Sequence, residues 1–522
     1  MQSSRKSRFV LLLSVAISTV ITASGAEAFD RVGWTDEYFL YQQPERFTRL
    51  DSTELEAFIV ATMEQYHVPG VAACVTKDAD IVWTGAYGLA NIEDDIAVCD
   101  TTMFLLASVS KLVTGTAVMQ LCEDSLFGLD DSINDYLTSF QVIHPQYPST
   151  PITFRMLLTH TAQIVDQWSL IMDTLYTFGA DSPIPLEDFL QGYLLPGGEN
   201  YNSGNWTEDP PGSGHVYSCV GFALLGYLVE VISGMPFDEY CNGAIFEPLG
   251  MNRTSWRLLG LDQTTIAMPY KWQGGTHVPW EHYGYPYYPA GLLRSSTVDL
   301  SRFFRAFLQE GEFEGSRILE STTVDTMTTH QLTDIIYATG YSYYMGLAWL
   351  NILPASLVDE NIWCWGHTGG DWGVNTCALY SSAEGENWES IVLMNLYQPY
   401  ALAPILYEVV QFAHDTFGDT SAVLSGTLAG NQLQLSWTPI PQAAEYWVYG
   451  APNQPYFSPG FAPGYEHRLV VLSPWSTTWS SSNGICEEDN NWTYQVIAVN
   501  GTGGELWRSN RVGEHDFGAD IP

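Results

Sequence analysis

Ser108-Val109-Ser110-Lys111 is the stretch on which the reading of this chain turns, because lysine is almost absent from it. Beyond the N-terminal segment only Lys77, Lys111 and Lys271 remain. One of these three stands three residues after a serine, just past the strand-rich run from Val71 to Asn91. Positions i and i+3 of a helix share a face, so hydroxyl and amine can meet at a helix start, where backbone N–H groups also point outward. A serine nucleophile needs such a base or cation beside it. Spacing alone does not decide the matter. Ser3-Ser4-Arg5-Lys6 has the same pattern, and a helix start with a surface lysine would also produce it.

Working outward, Val71–Lys77 and Ile81–Tyr87 read as a β-hairpin around Asp78-Ala79-Asp80. Leu112, Val113, Thr116, Ala117 and Leu121 give Ser108–Cys122 one apolar helical face. Phe154–Thr159, Phe222–Ile232 and the run holding Leu300, Phe303, Phe304 and Phe307 are further helices. Residues 183–214, rich in Pro, Gly and Asn, read as a loop-bearing insertion. Ile362–Trp365, Thr376–Tyr380 and Ile391–Asn395 read as strands, and Pro404–Phe417 as a closing helix. Strands at both ends with helices between them predict an α+β domain whose sheet is assembled from distant segments.

The pattern changes near Ser421. Leu433, Leu435 and Trp437 alternate with polar residues, as do Tyr494, Val496 and Ala498, with Tyr446–Tyr449 as another strand. Short strands with Pro/Gly/Ser turns predict a small all-β sandwich over 421–522. Leu435-Ser436-Trp437, Ala444-Glu445-Tyr446 and Tyr494–Asn500 resemble a fibronectin type III module.

At the other end, Arg5, Lys6 and Arg8 precede the apolar run Phe9–Ile21, and Ala26-Glu27-Ala28 fits a small-x-small cleavage site. Residues 1–28 therefore read as a signal peptide, and 29–420 as the main domain of a secreted or periplasmic protein with no later membrane span. The net charge of −40, from 19 Lys plus Arg against 59 Asp plus Glu, repels phosphate backbones and excludes nucleic acid as a natural partner. The eight cysteines form no C-x-x-C pair, so no metal centre or cofactor is expected. Cys364 and Cys377 flank a Gly-rich turn and either face each other across two strands or remain free thiols. Asn205 and Asn252 head glycosylation sequons, as do Asn491 and Asn500.

Two further motifs give Ser108 and Lys111 their meaning. Tyr217-Ser218-Cys219 precedes the Gly221–Ile232 helix, and His367-Thr368-Gly369-Gly370 follows the Trp363–Gly366 strand. In this order the three motifs resemble the Ser-x-x-Lys, Tyr-x-Asn and Lys/His-Thr-Gly set of the serine β-lactamase and penicillin-binding-protein superfamily, in its class C β-lactamase-like branch. Pro69-Gly70-Val71-Ala72, Leu157-Leu158-Thr159-His160-Thr161, Pro248-Leu249-Gly250-Met251 and Pro289-Ala290-Gly291-Leu292 extend the resemblance over Asp51–Phe417. It implies a β-lactamase/transpeptidase-like fold, an antiparallel sheet flanked by helices plus a helical subdomain. It also implies that Ser108 forms an acyl-enzyme, with Lys111 and Tyr217 moving its proton. The N–H groups of Ser108 and Gly370 would form the oxyanion hole. Cys219, Thr368 and Gly369 would contact substrate. His367 would bind a carboxylate or polarise Tyr217.

The chain departs from the family pattern at Cys219, where relatives carry Asn. A thiol bonds an amide poorly, which weakens the expectation of efficient β-lactam hydrolysis and leaves esterase or peptidase activity open. His160-Thr161-Ala162 imitates the third motif but reads as structural, and His215 as an exposed loop residue. Trp280, Tyr283, Tyr285, Tyr287 and Tyr288 either line the groove or pack as a surface loop. The functional expectation is an exported serine hydrolase acting on a D-amino-acid peptide, a carboxylic ester or a β-lactam. The alternative is a non-catalytic recognition protein on the cell surface. In either case the C-terminal module would contact a surface polymer or protein.

Overall fold

The computed structural model describes residues 52–78, 80–332, 336–338, 341–354, 363–381 and 387–417, and eight strand segments between 425 and 513. The N-terminal segment with its cleavage site, the boundary at Ser421, and Trp437, Ala444, Cys486, Asn491 and Asn500 lie outside the described residues.

The main domain is built on a nine-stranded antiparallel sheet. Its strands, in chain order, are β1 (Gly70–Lys77), β2 (Asp80–Asn91), β3 (Ile96–Ala97), β4 (Ile336–Ala338), β5 (Tyr341–Met345), β6 (Leu350–Ile352), β7 (Cys364–Asp371), β8 (Val374–Ser381) and β9 (Trp388–Met394). They lie side by side as β4-β5-β6-β7-β8-β9-β1-β2-β3, so the N-terminal hairpin completes a sheet begun by the C-terminal third of the domain. This is the β-lactamase/transpeptidase-like α+β arrangement, and it agrees with the strand reading at both ends.

Both faces of the sheet are covered. The period-two alternation of a strand sends Val71, Ala73 and Val75 into a core with helices α1 (Ser52–Tyr66) and α6 (Pro399–Phe417), where Leu55, Ile59, Leu402, Ile405 and Val409 are buried. Ala72 and Cys74 point the other way, into the larger core. That core holds α2 (Ser110–Glu123), α3 (Phe154–Leu158), α4 (Cys219–Ser233) and α5 (Thr297–Leu308). Burying one aliphatic side chain contributes about 1.5–3 kcal/mol, which suits the apolar run of α4, whereas α2 also buries Lys111, Thr114 and Thr116, each hydrogen-bonded to a carbonyl.

Two sequence expectations change. Residues 183–214 contain a helix, Leu186–Leu194, whose Leu186, Phe189, Leu190, Tyr193 and Leu194 are buried at helical spacing. The surrounding Pro, Gly and Asn masked that pattern. His367–Gly370 lies within β7 rather than after it; the chain turns at Trp372 and Gly373, where Gly373 takes a φ of 74°. Of the two readings of Cys364 and Cys377, the thiol one holds: they form no disulfide with each other and are not opposite, since Cys377 pairs with Thr368, and Cys364 with Ile352 on the other neighbour. At the sequons, Asn205 is fully buried and donates to the carbonyls of Tyr193 and Asn200, whereas Asn252 is exposed.

The C-terminal strands form two antiparallel sheets. One has three strands, 425–429, 432–436 and 478–480. The other joins 467–472, 445–452, 492–499, 505–508 and 512–513. Leu435, Tyr446 and Val448 are buried, as the alternation predicts. No single described helix is long and apolar enough to cross a membrane.

Candidate active site

Ser108 sits in a single 3-10 turn, Ala107–Val109, that leads into α2. Three tethers fix this turn. Thr376 Oγ1, on β8, donates to Leu106 O at 2.7 Å. Leu106 N donates to Leu293 O at 2.8 Å, and Leu293 N donates to Ser110 Oγ at 3.1 Å. Ala107 carries a positive φ of 47°, a conformation costly for a residue with a Cβ, immediately before the serine.

Lys111 follows one turn later and is fully buried. Its Nζ lies 3.0 Å from Ser108 Oγ, 3.4 Å from Cys219 Sγ and 2.7 Å from Ala290 O. Three contacts suit an ammonium with three donors. They equally suit a neutral amine that donates to Ala290 O and Cys219 Sγ and accepts the Ser108 hydroxyl proton. The amine also lies 4.9 Å from the centre of the Tyr217 ring.

Tyr217 and Cys219 are positioned by the start of α4. Ser218 caps the helix, its Oγ accepting from Gly221 N at 3.0 Å. Asp166 completes the cap: its carboxylate accepts from Cys219 N at 2.6 Å, Val220 N at 3.1 Å and Ser218 Oγ at 3.0 Å. Burial raises its pKa, and these bonds oppose the rise. Ser218 N in turn donates to His160 Nδ1 at 3.1 Å, and the His160 ring lies 4.3 Å from that of Tyr217. His160 is thus a positioning residue, as a structural reading implies, but it sits directly beneath the site. Burial, then His215, Lys111 and His367, hold it neutral.

Burial pushes the Cys219 thiol up to about 12, against the pull of Lys111. It is therefore a protonated thiol and not a second nucleophile.

The strand β7 supplies the facing wall. Gly369 comes so close to the nucleophile turn that a Cβ there would lie 2.3 Å from Thr376 Oγ1 and 2.4 Å from Leu106 O. β6 pairs with β7 only over Cys364–Gly366, so among the described residues His367–Asp371 has an open edge on that side. His367 is buried, with Nδ1 2.5 Å from Thr368 O and Nε2 without a hydrogen-bond partner among the described residues. Burial, with Lys111 second, lowers its pKa to about 3. A neutral imidazole offers a carboxylate a hydrogen bond from Nε2 and no full positive charge.

These groups border one cavity of about 360 Å³, lined by Ser108, Tyr217, Cys219, His367, Thr368, Gly369 and Gly370. All the residues expected from the motifs meet there, Lys111 just behind the wall. Sequence reasoning missed Asp166 and Asp371, and it missed the cover provided by Trp168, Met172 and Tyr176. It also misplaced His215, which is half-buried on the cavity wall with its pKa lowered by burial to about 4. Tyr285 and Tyr287 line the cavity, stacked at 4.0 Å, while Tyr283 and Tyr288 are buried in the core. Tyr285 and Tyr287 thus take the groove-lining alternative, while no motif flags Asp166, Asp371, Trp168, Met172 or Tyr176, which tertiary contacts bring in.

Known proteins share this framework. The family model described as Beta-lactamase matches residues 55–411. Penicillin-binding protein 4 of Amycolatopsis lactamdurans is 28% identical over 272 residues, 51% of this chain and 67% of that protein. Protein flp of Staphylococcus aureus is 22% identical over 305 residues, 57% of each chain, so just over half of that relative is spanned. Among solved structures, the octameric penicillin-binding protein homologue from Pyrococcus abyssi superposes with a TM-score of 0.54 at 21% identity, covering 89% of this chain and 100% of that one. EstCE1, a hydrolase with promiscuous acyltransferase activity, gives 0.53 at 18% identity, covering 69% and 98%. Such distant likenesses speak for the fold alone, but the family model covers most of the chain: this protein belongs to the Beta-lactamase family, the serine hydrolases that include the penicillin-binding proteins.

Proposed function

We propose that the protein is an exported acyl-enzyme hydrolase whose nucleophile is Ser108 and whose preferred substrates are carboxylic esters or short amides. The observation that carries this reading is the 3.0 Å approach of the fully buried Lys111 Nζ to the Oγ of the half-buried Ser108. Ser108 Oγ attacks the substrate carbonyl carbon while its proton passes to the Lys111 amine or the Tyr217 phenolate. The C–O or C–N bond to the leaving group breaks, and the leaving group takes that proton. Water then attacks the Ser108 ester, returning a proton to Ser108 and releasing the acid.

The N–H groups of Ser108 and Gly370 serve as the oxyanion hole, each donor contributing about 3 kcal/mol to the transition state. The open edge of β7 accepts the substrate backbone as an added strand. Cys219 in place of an amide weakens the grip on an amide-bearing acyl group, which favours the esterase side over efficient β-lactam hydrolysis. The class C-like order of motifs supports that branch. The basic-then-apolar N-terminus supports export, and the two C-terminal sheets support a fibronectin-like attachment module.

The test is covalent labelling. A fluorophosphonate should add to Ser108, located by peptide mass spectrometry, and Ser108→Ala should lose both the adduct and turnover of p-nitrophenyl acetate. An adduct on another residue, or unchanged turnover in the variant, refutes the assignment.

A further inference from the structure

We propose that the end of the cavity at Asp371 receives a substrate ammonium group, so that this site selects amine-bearing substrates over carboxylate-bearing ones. This rests on the same cavity as the hydrolase reading and extends it to substrate class.

The position follows from strand geometry. His367, Gly369 and Asp371 alternate onto one face of β7, and Gly369 shows that this face meets the nucleophile turn at Leu106 and Ala107. Asp371 therefore sits about 7 Å along the strand from Gly369, at the end opposite His367. That separation is the reach of a short acyl chain.

The carboxylate is held in place. Its Oδ1 accepts from Tyr176 OH at 2.7 Å and from Trp372 N at 2.7 Å, and its Oδ2 accepts from Tyr285 OH at 3.1 Å. The Tyr283 hydroxyl, which donates to Trp372 O at 2.9 Å, also faces this carboxylate, so an entering ammonium would share its oxygens with the phenols around it. Around it stand ring faces: Tyr176 stacks on Trp372 at 5.2 Å and Tyr285 on Tyr287 at 4.0 Å, with Trp168 on the same cavity wall. Aromatic faces beside a carboxylate attract a desolvated cation.

Beyond the oxyanion N–H groups, the cavity offers no side-chain cation to a substrate anion. None of its lining residues is Lys or Arg. His215 and His367 are neutral, and the Lys111 amine is committed to Ser108, Cys219 and Ala290. Arg294 lies deeper, donating to Leu292 O and Tyr283 O, and does not line the cavity. A substrate carboxylate would meet the charge of Asp371 with no counter-ion, whereas an ammonium would gain one. The net charge of −40 adds a field that draws cations to the molecule.

The experiment separates binding from chemistry. In full-length Ser108→Ala, titration calorimetry should show n-butylammonium binding at least tenfold tighter than butyrate. Adding Asp371→Asn should reduce that ratio at least tenfold. In the active enzyme, the aminomethylcoumarin amide of D-alanine should exceed its N-succinyl counterpart in kcat/KM by a similar ratio. Equal or tighter butyrate binding overturns the proposal, as does a ratio that Asp371→Asn leaves unchanged. Should Asp371→Asn fail to fold, the ranking of the two probes in Ser108→Ala decides alone. Ammonium binding without any Ser108 adduct would sink the hydrolase reading and leave this one standing; an adduct without ammonium preference would do the reverse.

Discussion

Adding one methyl group at Gly369 should disable the site without touching any reacting atom. A Cβ there would stand 2.3 Å from Thr376 Oγ1 and 2.4 Å from Leu106 O, and 3.2 Å from Ala107 Cβ, where ordinary contact begins at 3.4 Å. Relief therefore requires a movement of about 1 Å, since overpacked positions relax by shifting their neighbours. The atoms in the way are not the ends of flexible side chains. Leu106 O is backbone two residues before the nucleophile, and the Thr376 hydroxyl is bonded to it at 2.7 Å. The methyl group would wedge β7 away from the turn that carries Ser108. Overpacking of this kind costs about 1–3 kcal/mol of stability, and a 1 Å misplacement of reacting groups can cost about 100-fold in rate.

Gly370→Ala is the control. Its Cβ would meet the edge of the Tyr397 ring at 2.7 Å, and that side chain is 39% exposed and has solvent to turn into. The substitution also keeps the Gly370 N–H. Paired measurement of ester kcat/KM, fluorophosphonate labelling rate and thermal unfolding should show a loss of about 100-fold for Gly369→Ala and less than tenfold for Gly370→Ala. Gly369→Ala with more than a third of normal kcat/KM, or equal losses in the two variants, would refute the reasoning.

Lys111→Arg should fall within about tenfold of Lys111→Ala in ester turnover, because a guanidinium keeps its proton at working pH; near-normal turnover would rule out proton transfer by Lys111. Asp166→Ala removes three hydrogen bonds at the start of α4 and should cost about 3–5 kcal/mol in denaturant unfolding, with labelling of Ser108 slowed in the folded fraction. Cys219→Asn should raise turnover of a cephalosporin about fivefold more than that of a simple ester, the worth of roughly one net hydrogen bond; equal gains would mean that Cys219 does not set substrate class. Burial raises the folded pKa of Asp371 from 3.8 to about 6, so between these values the native state holds more proton than the unfolded chain and stability falls as pH rises. Asp371→Asn should flatten that slope, and an unchanged slope in parallel melts from pH 4 to 6.5 would count against a buried ionisable Asp371.

What the sequence made legible, it did through local pattern and order. The i, i+3 spacing of Ser108 and Lys111 needed only a helix, and the helix needed only its apolar face. A sheet assembled from distant segments followed from strands at the two ends of the domain; its antiparallel order came with the family resemblance. The helix at Leu186–Leu194 was hidden because its five buried side chains lie within a segment whose composition is that of a loop. The third motif is placed after a strand ending at Gly366 because glycines lower strand propensity, yet it lies inside β7, which needs a residue without a side chain where it passes Leu106. Asp166 was not legible at all. An isolated Asp becomes a helix cap only when the fold brings it to Cys219 and Val220, 53 and 54 positions away.

The same contrast divides the site by role. Ser108, Lys111 and Tyr217 stand on helix starts, and the strand edge stands on the central sheet. These parts are rigid, and their geometry is set by backbone bonds that a change of substrate need not disturb. The far wall is different. Trp168 and Tyr176 belong to one excursion of the chain, Tyr285 and Tyr287 to another; the rings of Tyr176 and Tyr285 lie 5.1 Å apart, and the hydroxyls of these two tyrosines both donate to Asp371 at the end of β7. A carboxylate held by two phenols and an amide N–H is a fixed charge that neither excursion could present alone. On the proposed reading, selection of substrate rests on contacts between two excursions of the chain and the end of β7, while the acyl-transfer groups rest on helix starts and the central sheet. One substitution at Asp371 can therefore alter which acyl group is accepted while the approach of Lys111 to Ser108 stays as it is.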